Sequence, residues 1–234
     1  MIMKFIVAEI GVNWDGDFNI AKEMMTQAKK AGCNAIKFQA FNKNIVGSHP
    51  EFERLMKTSI SEENIKMIDK LSKLVGIEWF CTPMYAEIVD IIDPYVKRFK
   101  IREVDGRQLL ENKESVLSKK IFETNKEVII SSQHSPHNCK FYNNPKIKWL
   151  YCVPKYPCNI SDLDFTELSK FNGYSNHVPE IIAPLTASIL GSEIIEIHIT
   201  SNKSKNYVDN NVSFDYNELS EMMKLIRMYE KIKR

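Results

Sequence analysis

The sequence predicts a parallel (β/α)8 TIM barrel forming a single domain over residues 1–234, and three observations predict it. Short apolar, β-rich runs alternate with segments of helical period, and regular alternation of this kind implies parallel strands joined by crossovers. The 234 residues divide into eight units of about 29, the size of one strand–loop–helix–loop repeat, within the ~200–400-residue range of such barrels. No Gly-rich GxGxxG follows the first run, which argues against a dinucleotide-binding doubly wound sheet.

The elements follow in order. Residues 4–9 (KFIVAE) read as the first strand. Residues 19–31 repeat Ile20, Met24, Ala28 and Ala31 at helical spacing, with Asn19 as a candidate N-cap and Gly32 as the stop. NAIKFQ (34–39) is a strand, followed by a polar loop through about Ser59. Ile65, Ile68, Leu71 and Val75 mark one face of a helix over 61–75 that Gly76 ends. IEWFCT (77–82) is a strand, 86–92 a short helix, YVKRFKI (95–101) a strand, and 107–124 largely helical. EVIISS (127–132) is the fifth strand. The Pro/Asn-rich stretch 133–146 makes the fifth helix short or irregular. IKWLYCV (147–153) is a strand and 161–171 a helix. GYSNH (173–177), a helix over 180–190 and EIIEIHI (193–199) follow. The last helix, 215–232, carries Leu219, Met222, Met223, Ile226 and Tyr229 on one stripe.

Composition narrows the function classes. Lys and Arg number 32 against 30 Asp and Glu, a net charge of +2, so no charge field points to nucleic acid or an anionic membrane. Hydrophobic residues at 44% and charged residues at 26% are globular values. No apolar run reaches the ~18 residues of a membrane span, and no leader is evident. The five cysteines, Cys33, Cys81, Cys139, Cys152 and Cys158, are odd in number and form no CxxC, so free thiols and a cytoplasmic location are expected.

Chemistry in this fold sits where the strands end. The apolar runs end on Glu9, on Lys37 with Gln39, on Thr82, on Lys100 with Arg102, on Ser131 with Ser132, just before Tyr156, on Ser175 with His177, and on Glu196 with His198. Lys37 and Gln39, Lys100 and Arg102, Ser175 and His177, and Glu196 and His198 are each two residues apart and share a strand face. Barrel strands bury both faces, so charged pairs within them are costly unless they point into a polar cavity. His49, His134 and His137 fall in loops and carry no such signal.

The same residues resemble a known family. VAEIGVNWDGDFNIAKEMMTQAKKAGCNAIKFQAF is similar to the opening of the N-acetylneuraminate (sialic acid) synthases, which carry AEIGxNHxG, a helix, then AGADAVKFQ. FCTPM resembles their STPF, RFKI their YKIG, and IISS their ILST. YCVPKYP resembles HCTNIYP, GYSNHV resembles GLSDHT, and IEIHIT resembles LERHFT. The matches run in order from residue 5 to about residue 210. The resemblance implies condensation of phosphoenolpyruvate with a sugar aldehyde, N-acetylmannosamine or a related aldose, to a 2-keto-3-deoxy acid with release of phosphate. It implies a divalent cation, Mn²⁺ or Mg²⁺, on His177 and His198, activating the aldehyde, and a proton-handling role for Glu9. Lys37 and Lys100 would bind phosphoenolpyruvate, with Arg102, Thr82, Ser131 and Ser175 as further donors. Gln39, Tyr156 and Asp209 match sugar-contacting positions.

The sequence departs from the family at Asn13-Trp14-Asp15-Gly16, at Pro154, and at Glu103, which replaces a phosphate-binding serine with a like charge that Arg102 could offset. The family carries a C-terminal antifreeze-like domain that lends an arginine to the sugar's N-acyl group on a partner's barrel. The sequence ends at Arg234 after the last barrel helix, so either the acceptor lacks an N-acyl group or a separate antifreeze-like chain supplies the contact. The family dimerises partly through that domain, which leaves a homodimer open here. Two alternatives stand beside synthase chemistry: a metal-dependent sugar lyase or isomerase without phosphoenolpyruvate, and a non-catalytic sugar- or partner-binding barrel.

Overall fold

The computed structural model describes residues 3–232. Eight parallel strands close in sequence order into a barrel: β1 Phe5–Gly11, β2 Ala35–Ala40, β3 Glu78–Pro83, β4 Arg98–Ile101, β5 Glu127–Ser132, β6 Ile147–Tyr151, β7 Gly173–Asn176 and β8 Ile194–His198. The strands are apolar on both faces because each lies between the barrel interior and the helical shell, so Ile6, Ile36, Phe80, Phe99, Ile129, Trp149 and Ile197 are all buried. No helix among the described residues is long and apolar enough to cross a membrane.

The helical shell follows the sequence reading in most sectors. Helix α1, Phe18–Ala31, is capped by Asp17 rather than Asn19, the Asp17 carboxylate accepting from Asn19 N–H, and Gly32 ends it in the left-handed region. The expected loop before Ser59 instead holds two short helices, α2 Lys43–Val46 and α3 Phe52–Thr58. Asn42 caps the first, and the Ser59 hydroxyl clips the far end to both backbone groups of Phe41. Helix α4 covers Ile65–Val75 and α5 Ile88–Ile92. The helix expected over 107–124 is two: α6 Glu103–Leu110 and α7 Val116–Glu123. Asn112 at φ +61° breaks the run, and Ser115 caps the restart.

Residues 133–146 form no helix, so the fifth helix, expected to be short or irregular, is absent there. The helix expected over 161–171 is a correction: that segment forms two 3₁₀ turns, Ile160–Asp162 and Leu168–Lys170. Asp164 accepts from Thr166 N–H, so a short acidic side chain takes a backbone donor that the helix would need. Tyr151, Phe165, Phe171 and Tyr174 fill the space with edge-on and stacked rings. Helices α8 Ile182–Ile189 and α9 Tyr216–Ile232 complete the shell, with Leu219, Met222, Met223 and Ile226 buried.

The β7–β8 seam has no room for a side chain at Gly173. A Cβ there would lie 2.0 Å from the Ile194 carbonyl oxygen and 2.9 Å from Leu150 Cδ2. Gly173→Ala is expected to cost about 3 kcal/mol of stability through forced separation of these strands. Urea unfolding at unchanged m-value checks it.

Candidate active site

Strand register sets the site. Glu9 pairs across the sheet with Lys37 on one side and His198 on the other, and Ser175 pairs with Glu196. These residues therefore point the same way, into a cavity of about 680 Å³ at the C-terminal mouth of the barrel. All twelve residues assigned a role from sequence line it: Glu9, Lys37, Gln39, Thr82, Lys100, Arg102, Ser131, Tyr156, Ser175, His177, His198 and Asp209.

The floor is a buried charge box. Lys37 Nζ lies 2.7 Å from Glu9 Oε2 and 3.8 Å from Glu196 Oε1, and donates to Thr82 Oγ1 at 3.0 Å. Lys100 Nζ donates to Glu196 Oε1 at 2.8 Å, and Ser175 Oγ donates to the same oxygen at 2.9 Å. Two lysines and two carboxylates thus balance inside the barrel, as buried charges must. Burial works against the Lys37 ammonium, but Glu196 and Glu9 outweigh it and raise its pKa. Burial likewise pushes the Glu196 carboxyl up, yet Lys100 and Lys37 together prevail and bring it down to about 2. Glu196 is the residue that sequence reasoning left without a role. The signal was there: two buried lysines need two counter-ions, and Glu9 is only one.

One glycine makes the site possible at its β1 edge. A Cβ on Gly11 would sit 3.0 Å from Glu9 Oε1, 3.1 Å from Gln39 Nε2 and 3.2 Å from Asp209 Oδ2. Gln39 Nε2 donates to Glu9 Oε1 at 2.6 Å. The neighbouring departures hold the surrounding loops. Asn13 accepts from Asp209 N–H and donates to Ile199 O and Ser213 Oγ. Trp14 Nε1 donates to Thr58 O, tying the β1 loop to α3.

The two histidines meet with ring centroids 5.5 Å apart. His177 Nδ1 faces Val153 O at 2.8 Å, which fixes that nitrogen as the N–H and leaves Nε2 the lone pair. Tyr156 O–H stands 2.6 Å from Nε2, its ring packed on the imidazole. Burial, with His198 opposite, pushes His177 down to about 3, so the ring is neutral at pH 7. His198 Nδ1 is buried without a hydrogen bond, Asp209 Oδ2 lying 3.5 Å away. A neutral imidazole beside an imidazole nitrogen with no partner is a donor set that fits a divalent cation. Among the described residues, no group of three or more His, Cys, Asp or Glu is arranged to hold one, so the pair would leave positions open to other ligands.

At the β4–β5 side, the Glu103 carboxylate is buried and clamped by Arg107, with Nε 2.9 Å and Nη2 2.7 Å from its oxygens. Arg102 pairs with Asp105. The like charge expected at Glu103 is therefore neutralised by Arg107, one helical turn on, and not by Arg102. Ser131 Oγ is buried without a hydrogen-bond partner and faces the same cavity. Cys152 also lines it, its thiol pushed up to about 12 by burial and so protonated at neutral pH. His49, given no role by sequence, reaches the cavity rim from the α2–α3 connection.

Residues 24–234 match the NeuB family. The chain belongs to the NeuB family. The family expected from the ordered motifs is thus confirmed, and this NeuB-family chain is a sialic acid synthase-like enzyme. It is 34% identical to an uncharacterized protein of Methanocaldococcus jannaschii over 97% of this chain and 71% of that one. It is 30% identical to the N,N'-diacetyllegionaminic acid synthase of Legionella pneumophila, over 97% of this chain and 72% of that one. The crystal structure of the N-acetylneuraminic acid (sialic acid) synthetase of Leptospira borgpetersenii serovar Hardjo-bovis, in complex with citrate, superposes with a TM-score of 0.83 at 26% identity. It covers 99% of this chain and 85% of that one.

Proposed function

We propose that this NeuB-family barrel condenses phosphoenolpyruvate with an aldose to a 2-keto-3-deoxy acid, releasing phosphate. The observation that carries the reading is the union of a cationic, donor-rich side with a proton-handling carboxylate and two facing histidines in one cavity. Lys37, Lys100 and Arg102 meet the carboxylate and phosphate of the substrate, and the Ser131, Ser175 and Thr82 hydroxyls supply neutral contacts. Gln39, Tyr156 and Asp209 hold the sugar.

His177 and His198 would hold Mn²⁺ or Mg²⁺, which when bound polarises the aldehyde oxygen as a Lewis acid. The methylene carbon of phosphoenolpyruvate forms the new bond to the aldehyde carbon. Water adds to the resulting cationic carbon, and phosphate leaves from the tetrahedral adduct. Glu9, held by Gln39 and Lys37, moves a proton at Oε1 or Oε2, either to the developing alkoxide or from the attacking water. Incubation with phosphoenolpyruvate, Mn²⁺ and an aldose panel is expected to yield phosphate and 2-keto acid in equal amounts. Absence of both with every aldose would sink the reading.

Neutralisation of Glu103 by Arg107 favours this chemistry over a phosphoenolpyruvate-independent lyase or isomerase, because it removes the repulsion the substitution would otherwise create. Arg107→Ala is expected to raise KM for phosphoenolpyruvate about tenfold with kcat little changed. Adding Glu103→Ser, which removes the carboxylate left without its counter-ion and restores a hydroxyl, is expected to recover most of that loss in steady-state kinetics.

A further inference from the structure

One short loop holds His177 at three points. Residues 153–158 follow β6, and their backbone grips the histidine twice. Cys158 N–H donates to His177 O at 3.0 Å, and Val153 O accepts from Nδ1 at 2.8 Å. The third contact is a side chain, Tyr156 O–H to Nε2 at 2.6 Å. The outer edge of the loop is pinned as well. Lys155 pairs with Asp162, whose carboxylate also accepts from Asn159 N–H. The loop backbone is therefore fixed against the histidine and against the segment that follows it.

Tyr156 is the contact that can let go. It is 58% exposed, so its side chain can turn outward at the cavity mouth without opening the core or moving the loop. Its ring lies against both imidazoles, with centroids 4.0 Å from His177 and 5.9 Å from His198. It thus stands across the histidine pair.

Nδ1 carries the ring proton of neutral His177, so Nε2 has a single lone pair. A phenol is protonated at neutral pH and donates to it. A cation held by His177 needs that same lone pair, and one lone pair cannot serve both. His198 Nδ1, in contrast, has no hydrogen bond to give up. The two histidines therefore differ in access: one has an open nitrogen, and the other is closed by a removable side chain.

We propose that Tyr156 is a gate on the cation site: its O–H closes His177 Nε2, swings out to admit a divalent cation, and is then free to donate to another ligand in the cavity. The proposal rests on the reading of His177 and His198 as cation ligands. The gate gives a buried imidazole nitrogen a partner, and it lowers cation affinity by the hydrogen bond that must break. A ligand that accepts from the displaced O–H offsets that loss, so such a ligand and the cation strengthen each other's binding.

The test is Mn²⁺ binding without phosphoenolpyruvate or aldose, followed by electron paramagnetic resonance of the free ion. Only the bound ion that is lost in His198→Gln is counted. Tyr156→Phe keeps the ring on the imidazoles and removes the O–H alone. It is expected to bind Mn²⁺ about three- to tenfold more tightly than the wild type, the effect of one net hydrogen bond. A gain in affinity is the opposite of what a damaged site would give, and circular dichroism checks that the fold is kept. Equal binding by the two proteins overturns the gate and leaves the cation site standing. Weaker binding by the variant also overturns it, because the phenol would then be helping to hold the ion. Binding by neither protein overturns the cation reading of the two histidines and the gate with it.

Discussion

His198→Gln is expected to lower kcat for phosphoenolpyruvate-dependent condensation by about 10²–10³-fold, the loss seen when one preorganised electrostatic contact to a developing charge is removed. Glutamine keeps a polar side chain of similar reach in a position that is 4% exposed, so stability should change little. The choice of His198 follows from its buried Nδ1, which has no hydrogen bond to lose. His177 is held by Val153 O and met by Tyr156 O–H, so His177→Gln would disturb that arrangement as well. Chelation of the wild type should produce the same loss, reversed by Mn²⁺ or Mg²⁺. The variant should show little recovery with either ion. Phosphate release measured across a metal titration separates the outcomes. A variant with wild-type activity and wild-type metal dependence would remove His198 from the cation site.

The barrel was legible because strands buried on both faces read as unbroken apolar runs, so their polar last residues stood out. That is why Lys37, Lys100, Ser175 and His198 could be placed at one mouth before any contact was known. The parts that were not legible depend on tertiary partners. Helices α2 and α3 lie in a polar stretch broken by Gly47 and Pro50, and the Ser59 clip and Trp14 anchor come from residues distant in sequence. The 161–171 segment has adequate helical period, yet Asp164 holds the Thr166 backbone donor and Tyr151 supplies an aromatic floor. The Arg107–Glu103 pair was visible as an i, i+4 spacing, but sequence alone did not show that α6 begins at Glu103 and aims the pair at the cavity. The apolar cluster of Val12, Phe41, Val46, Leu55, Met84 and Val208 at the cavity was hidden for the same reason: these side chains come from four loops and two helices that only the closed barrel brings together.

Glu196→Gln is expected to destabilise the protein in the absence of substrate by about 3–5 kcal/mol, the cost of stripping a buried charge of its partner. Lys37 would keep Glu9 at 2.7 Å, but Lys100 would lose the carboxylate at 2.8 Å and remain 3% exposed. The Ser175 hydrogen bond survives the substitution, because the amide oxygen still accepts. The charge balance then makes a second, sharper expectation. Phosphoenolpyruvate brings anionic groups to the same lysines, so it should raise the Tm of Glu196→Gln more than that of the wild type. In the wild type the substrate must compete with Glu196 for Lys100, and in the variant it fills an unmet charge. A double replacement, Glu196→Leu with Lys100→Met, removes both charges and should recover much of the lost stability while abolishing the phosphoenolpyruvate-induced shift. Thermal unfolding of the three proteins with and without phosphoenolpyruvate decides the matter. A single variant as stable as the wild type, or one that phosphoenolpyruvate fails to stabilise further, would mean that Glu196 is not the counter-ion around which the anion site is built.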